Sequence, residues 1–134
     1  MPEFKKLHIL IAEDDLDDAM IIEGSFENNE SFESVRLVGN GQELVDYLNS
    51  GSNMLPDVIL TDINMPIMSG IEALEVIYNS DKLSTIPCFV YSTSVNPTYE
   101  TQSKNLGVKG YLVKPNSIEG FDQIPLDILE FLEK

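Results

Sequence analysis

The chain has few of the residues that disulfide scaffolds and zinc sites require. It contains one cysteine, Cys88, so an internal disulfide cannot form, and one histidine, His8, so no pair of histidines can bind a metal. Cys88 lies within an apolar run, which is typical of a buried, reduced thiol. A reduced thiol favours a cytoplasmic location.

Basic residues and long apolar runs are also scarce. Eight Lys and Arg residues against 23 Asp and Glu residues give a formal net charge of −15 at pH 7. Such a charge opposes approach to a phosphate backbone, so no nucleic-acid partner is expected. No apolar run approaches the about 20 residues that cross a bilayer, and the N-terminus lacks a signal-peptide core, so no membrane association is expected.

The apolar residues that are present form short runs separated by helix-like patterns. The length of 134 residues predicts one domain over residues 1–134 without an effector domain. Continuous apolar runs predict five strands, at Leu7–Ala12, Val35–Val38, Val58–Leu60, Cys88–Ser92 and Tyr111–Val113. Helical spacing follows each run, so the pattern predicts a three-layer α/β fold with a parallel sheet.

Two helices have unusual sequences. Asn96-Pro97 predicts the start of a fourth helix, which should pack weakly because only Tyr99 and Leu106 are large and apolar. Pro125 should interrupt the C-terminal helical pattern, so the last helix is predicted to start at about this residue.

Polar residues follow several of the predicted strands. Acidic residues Glu13, Asp14 and Asp15 follow the first strand, Asp62 ends the third, and Ser92 and Lys114 end the fourth and fifth. Right-handed crossovers would bring these strand ends to one edge of the sheet. Asp62 on its own could equally be a turn former.

Clustered carboxylates repel each other and require a cation. Oxygen ligands without histidine or thiolate favour Mg²⁺ over zinc, and Lys114 adds a fixed positive charge. A carboxylate, a divalent metal, a lysine and a hydroxyl together suit acceptance of a phosphoryl group as an acyl phosphate.

Four motifs carry a family resemblance: Ile-Leu-Ile-Ala-Glu-Asp-Asp at 9–15, Leu-Thr-Asp-Ile-Asn-Met-Pro at 60–66, Val-Tyr-Ser-Thr-Ser at 90–94 and Gly-Tyr-Leu-Val-Lys-Pro at 110–115. In this order the chain resembles the response-regulator receiver domain of two-component signalling. Its motifs are most similar to those of the single-domain regulators that include partners of phytochrome-type kinases. The resemblance implies a doubly wound, flavodoxin-like fold, with five parallel strands in the order 2-1-3-4-5 flanked by five helices.

The resemblance also assigns roles to individual residues. Asp62 would be the phosphoacceptor, Ser92 the hydroxyl residue and Lys114 the lysine of the family. Mg²⁺, or Mn²⁺ in its place, would be bound by Asp14 directly, by Glu13 largely through water, and by Asp62 and the backbone carbonyl of Asn64. Asp15 ranks below Glu13 and Asp14 as a metal ligand.

The remaining expectations from the family concern switching and the phosphoryl lifetime. Tyr111 would change rotamer as Ser92 moves onto the phosphoryl group. Asn64, Thr93 and Ser94 would control the access of water and the phosphoryl donor. The Lys114–Pro115 peptide bond would be cis.

The implied partners are proteins. The resemblance predicts that a sensor histidine kinase or a histidine phosphotransfer protein donates the phosphoryl group and that a downstream protein receives the signal. The chain would assist its own phosphotransfer and autodephosphorylation without being a conventional enzyme. The resemblance leaves open whether the chain forms a weak homodimer. Because a break is expected at Pro125, the geometry of such a dimer is not taken from the fourth and fifth helices of the family.

Two other functions remain as alternatives. A small aspartyl-phosphate phosphatase would place its nucleophile and a second aspartate right after the first strand, a spacing that Asp15 and Asp17 reproduce. Such an enzyme would leave Asp62, Ser92 and Lys114 without a role. A phosphorylation-independent interaction module on the same fold would need none of these groups.

Overall fold

The structure, a computed structural model, describes residues 6–51, 54–93 and 96–133. Within these ranges five strands alternate with five helices. The strands are β1 (Leu7–Ala12), β2 (Phe32–Val38), β3 (Val58–Asp62), β4 (Cys88–Ser92) and β5 (Gly110–Val113). The helices are α1 (Leu16–Glu27), α2 (Gly41–Asn49), α3 (Gly70–Tyr78), α4 (Pro97–Leu106) and α5 (Ile118–Leu132).

All five strands form one parallel sheet in the order β2-β1-β3-β4-β5. The predicted fold class and strand order are therefore confirmed. In the register of β1 and β3, Ala12 pairs with Thr61. The next residues along each strand, Glu13 and Asp62, consequently lie side by side at the carboxyl edge of the sheet.

Helices cover both faces of the sheet. Helices α1 and α5 cover one face through Ile22, Phe26, Phe121, Ile124 and Ile128. Helices α2 and α3 cover the other face, and α4 adds Tyr99 and Leu106 to it. Every residue of β3 and β4 is buried, which explains why these strands are continuous apolar runs without alternation.

Cys88 is buried in the sheet, as its apolar surroundings predict. Burial raises the pKa of its thiol to about 12, so the thiol stays protonated and unreactive near neutral pH. No helix in the described ranges combines the length and the apolarity that crossing a bilayer demands.

Helix α4 begins where the sequence predicts and packs weakly. The Asn96 side chain accepts hydrogen bonds from the backbone N–H groups of Thr98 and Tyr99, and Pro97 occupies the first turn. Ser103 is the one fully buried residue of this helix, and its Oγ has no hydrogen-bond partner. A buried hydroxyl without a partner costs free energy, so α4 is held less firmly than the other helices.

Pro125 does not interrupt the last helix, so the prediction of a break is wrong. Helix α5 runs from Ile118 to Leu132 with Pro125 buried inside it. A proline in a helix interior removes one backbone hydrogen bond. Here its apolar ring lies on the same buried face as Phe121, Ile124 and Ile128, and this burial offsets the loss.

Gly70 sets the distance between α3 and the end of β3. Its backbone N–H donates to the carbonyl of Ile63 at 2.8 Å. A Cβ at this position would overlap the carbonyl oxygen of Asp62 and lie 3.1 Å from the Cα of Ile63. The absence of a side chain therefore allows the start of α3 to hold the backbone of Asp62 in place.

Two glycine substitutions test this arrangement. Gly70→Ala should lower the free energy of unfolding by about 2–3 kcal/mol because backbone atoms must move. Gly24→Ala is the matched control, since a Cβ there meets nothing within 4 Å in the middle of α1. It should raise stability by about 0.5–1 kcal/mol. Urea denaturation measures both, and equal effects would contradict the close approach at Gly70.

Candidate functional site

Strand register and alternation decide which side chains meet at the carboxyl edge. In β1 and β3, Ile9, Ile11, Val58 and Leu60 face α1 and α5. Side chains alternate along a strand, so Glu13 and Asp62 continue on this face. Tyr91 pairs with Asp62 in the register and lies in the same core cluster.

Lys114 joins three carboxylates at this edge. Its Nζ lies 2.7 Å from Oε1 of Glu13, 3.0 Å from Oδ2 of Asp62 and 3.1 Å from Oδ2 of Asp18. The lysine side chain is 5% exposed and the Glu13 side chain is 0% exposed. The backbone N–H of Lys114 also donates to the carbonyl of Ser92 at 2.7 Å, which ties the end of β5 to the end of β4.

Glu13 has hydrogen-bond donors at both oxygens. Tyr91 donates its hydroxyl to Oε1 at 2.5 Å, and the backbone N–H of Asp15 donates to Oε2 at 3.1 Å. The ammonium of Lys114 also lies 4.9 Å from the centroid of the Tyr91 ring, a distance typical of a cation–π contact. Tyr91 therefore contacts both members of the Glu13–Lys114 pair.

The pKa shifts follow from burial and from this network. Burial raises the pKa of Asp62 to about 6, against the opposing effect of Lys114. Burial alone would raise the pKa of Glu13 and lower that of Lys114. The hydrogen bonds from Lys114 and Tyr91 instead hold the Glu13 pKa below its usual value, and those to Glu13 and Asp62 raise the Lys114 pKa. Glu13 and Lys114 therefore form a charged pair at neutral pH.

Three of the carboxylates can meet at a cation. One oxygen each from Glu13, Asp14 and Asp62 lies within 4.8 Å of the others, and Asp14 is exposed while the other two are buried. Asp14 is therefore the member of this cluster that reaches solvent, and partial desolvation raises the pKa of its carboxyl group. Counting Asp18, four carboxylates gather at this edge and three of them contact the Lys114 ammonium, and such a set of hard oxygen ligands is typical of divalent metal binding.

The other predicted site residues lie around this cluster. Asn64 is exposed in the loop after β3, and Thr93 is exposed after β4. Ser94 lies outside the described residues. Asp15 is the N-cap of α1, where its side chain accepts the backbone N–H of Asp18 at 2.9 Å. Its ranking below Glu13 and Asp14 as a metal ligand stays a prediction.

Ser92 and Tyr111 occupy the opposite face of the sheet. Ser92 is buried at the end of β4, where alternation places its side chain on the same face as Val90. The half-buried ring of Tyr111 packs against that same core. The two predicted switch residues therefore share the face covered by α2, α3 and α4.

The Lys114–Pro115 peptide bond is trans, so the expectation of a cis bond is wrong. No cis peptide bond occurs in the part of the chain that the structure describes. The trans form is the lower-energy isomer of most X–Pro bonds. Here it is compatible with the contacts of the Lys114 ammonium to Glu13 and Asp62.

Two contact residues were missed by the sequence reasoning, Asp18 and Tyr91. Asp18 lies in the first turn of α1, directly after the acidic residues that follow β1, so the predicted strand-to-helix junction could have placed it near the carboxyl edge of the sheet. Tyr91 immediately precedes Ser92, and counting alternate positions along β4 would have placed it on the face of Asp62. The capping role of Asp15 and the exposure of Asp17 do not favour the phosphatase arrangement.

Comparisons with known proteins agree with this geometry. Residues 9–124 match the response regulator receiver domain family. The chain is 31% identical over 126 residues to the probable methanogenesis regulatory protein FilR2 of Methanothrix harundinacea (strain 6Ac), covering 92% of this chain and 81% of that protein. It is 32% identical over 108 residues to the two-component response regulator ORR11 of Oryza sativa subsp. indica, covering 81% of this chain and 71% of that protein.

A solved structure confirms the resemblance to phytochrome response regulators. The phosphorylated cyanobacterial phytochrome response regulator RcpA superposes with a TM-score of 0.86 and 32% sequence identity. The superposition covers 94% of this chain and 93% of RcpA. The family match, the two relatives and the shared fold agree with one another, and the chain belongs to the response regulator receiver domain family.

Proposed function

We propose that Asp62 accepts a phosphoryl group from a phosphohistidine of a sensor histidine kinase or histidine phosphotransfer protein. A carboxylate oxygen of Asp62 attacks phosphorus, the P–N bond to the donor imidazole breaks, and an acyl phosphate forms. The observation that carries the proposal is the placement of Lys114, whose ammonium lies 3.0 Å from Asp62 and 2.7 Å from Glu13. It can neutralise phosphoryl oxygens beside the nucleophile without leaving its position.

The acidic cluster supports a divalent cation next to Asp62. Asp14, Glu13, Asp62 and the Asn64 carbonyl would hold Mg²⁺, or Mn²⁺ in its place. When bound, the cation supplies positive charge to the phosphoryl oxygens during in-line transfer. Exposed Asp14 would be the direct ligand, whereas Glu13, which accepts hydrogen bonds from Tyr91 and Lys114, would act through water.

The signal would leave through α4, β5 and α5. A phosphoryl group adds about −1.5 to −2 charge and attracts the Ser92 hydroxyl and Lys114. The weak packing of α4 and the shared face of Ser92 and Tyr111 support a coupled rearrangement. Tyr111 also lines a groove of about 390 Å³ with Glu100 and Lys104 of α4, which gives a protein target a surface to contact.

Exposed apolar side chains beside the site favour a protein as the phosphoryl donor. Leu16 is 82% exposed and Met20 is 72% exposed on α1, and Ile118 is 64% exposed at the start of α5. Met20 and Ile118 also line a groove of about 340 Å³ between the two helices. Exposed apolar side chains on α1 and at the start of α5 are suited to docking an amphipathic helix that carries the phosphohistidine.

Phosphorylation by a small donor tests the acceptor. Incubation with acetyl phosphate and Mg²⁺ should add one phosphoryl group to the intact mass of the wild-type protein, and Asp62→Asn should abolish this gain. Lys114→Arg should retain a positive charge but slow the transfer, because a planar guanidinium cannot reproduce all three contacts of the ammonium. A mass gain that persists in Asp62→Asn would assign the acceptor elsewhere, and no gain in the wild type would favour the interaction module.

The raised pKa of Asp62 predicts a pH-dependent stability gain on its removal. The folded protein binds this proton more tightly than the unfolded chain, so ionisation of the carboxylate destabilises the fold progressively as the pH rises from about 4, and the effect is complete above about pH 6. Without metal, Asp62→Asn should therefore gain roughly 3 kcal/mol of unfolding free energy at pH 7.5 and about half of that at pH 5. Urea denaturation in chelator measures both values. A gain that does not fall between the two pH values would contradict the shift.

A charge introduced on the apolar surface tests the docking of the donor. The donor is a histidine phosphotransfer protein that phosphorylates the wild type. Met20→Glu should slow phosphoryl transfer from this donor by about tenfold or more. Acetyl phosphate should label the variant at the wild-type rate. Val76→Glu on α3 is the matched control because Val76 is an exposed apolar residue away from the site. Equal slowing with both donors would place the effect in the site itself and not in docking.

A further inference from the structure

The hydroxyl of Tyr91 requires a reason that packing does not give. Tyr91 is fully buried in the core between the sheet and helices α1 and α5. Phenylalanine would fill the same volume without burying a polar group, which costs free energy unless it is hydrogen-bonded. The Tyr91 hydroxyl is paired with a single carboxylate, and that carboxylate belongs to the acidic cluster.

The hydroxyl restricts how Glu13 can use its two oxygens. Oε1 accepts from Tyr91 at 2.5 Å and from Lys114 at 2.7 Å, so both of its acceptor positions are filled. Oε2 accepts the backbone N–H of Asp15 at 3.1 Å and keeps one acceptor position. Tyr91 thereby orients the carboxylate so that Oε2 is the oxygen left for another partner.

The same hydroxyl also affects Lys114. Without it, Lys114 would be the sole described side-chain donor to Oε1, and the buried carboxylate would draw the ammonium more strongly to itself. Lys114 must at the same time reach Asp62 at 3.0 Å. The Tyr91 ring, 4.9 Å from the ammonium, further limits where Lys114 can move.

We propose that Tyr91 is a positioning residue, which orients Glu13 for the divalent cation and allows Lys114 to contact Asp62 and Glu13 together. The inference deepens the proposed function and rests on its metal site. Tyr91 does not contact the reacting atoms and acts through Glu13 and Lys114. Loss of an outer hydrogen bond to a direct metal ligand typically weakens metal binding by about 10–100-fold, and we expect the lower end of this range because Glu13 would act through water.

Metal affinity separates positioning from packing. Tyr91→Phe keeps the ring and the cation–π contact and removes the hydroxyl. Its dissociation constant for Mg²⁺ by calorimetry, and for Mn²⁺ by electron paramagnetic resonance, should rise about tenfold over the wild type. Tyr78→Phe on α3 is the matched control, since Tyr78 is a half-buried tyrosine whose hydroxyl contacts Cys88 away from the cluster. It should leave both constants unchanged.

The dependence of labelling on Mg²⁺ supplies a second measurement. With acetyl phosphate, Tyr91→Phe should need about tenfold more Mg²⁺ for half-maximal labelling, and its rate at saturating Mg²⁺ should approach that of the wild type. A general packing defect would lower the saturated rate without changing the Mg²⁺ midpoint. That result, or unchanged metal affinity in a folded Tyr91→Phe, would overturn the inference while leaving the proposed function intact.

A double-mutant cycle tests whether Tyr91 acts through Glu13. If it does, Tyr91→Phe should weaken Mn²⁺ binding about tenfold in the wild type and by less than twofold in Glu13→Gln. Equal effects in both backgrounds would overturn the inference. A wild-type protein that binds neither Mg²⁺ nor Mn²⁺ would overturn both the metal site of the proposed function and the role of Tyr91. A wild type that binds metal with the same affinity as Tyr91→Phe would overturn the role of Tyr91 alone.

Discussion

The ammonium of Lys114 among three carboxylates is the interaction on which the site depends. Two unit charges about 4 Å apart attract by about 4 kcal/mol at an effective dielectric of 20, while burying each ion costs several kcal/mol. The contacts to Glu13, Asp62 and Asp18 together offset the burial of the lysine. Lys114 therefore links β1, α1 and β3 to the end of β5, and these ends cannot move independently.

Several ordinary features of the fold hold this ion cluster in place. The strand order sets β1 beside β3, so Glu13 and Asp62 become neighbours although 48 other residues separate them in the chain. The capping of α1 by Asp15 and the close approach at Gly70 restrain the backbone on either side. The excess of negative charge favours a cation beside Asp62, and in the proposed function this excess must be neutralised before a phosphoryl group can be accepted.

The two faces of the sheet differ in how firmly they are packed. Glu13, Asp62, Tyr91 and Lys114 lie on the side of α1 and α5, where aromatic and aliphatic residues bury them. Ser92 and Tyr111 lie on the side that includes α4, a helix with a single buried residue whose hydroxyl has no partner. In the proposed function, the firmly packed side would hold the reacting groups in place and the side with α4 would change shape in response.

Local sequence determined the elements and most of the site. Buried parallel strands are continuous apolar runs, so the ends of β1 and β3 and the acids that follow them were predictable, as was the start of α4 at Asn96-Pro97. Tertiary structure decided what depends on distant residues. Pro125 stays helical because its ring is buried among residues of the core. Asp18 and Tyr91 join the cluster because Lys114 and Glu13 arrive from other elements. Local patterns give the face on which each side chain lies, but they do not give the partner that it meets.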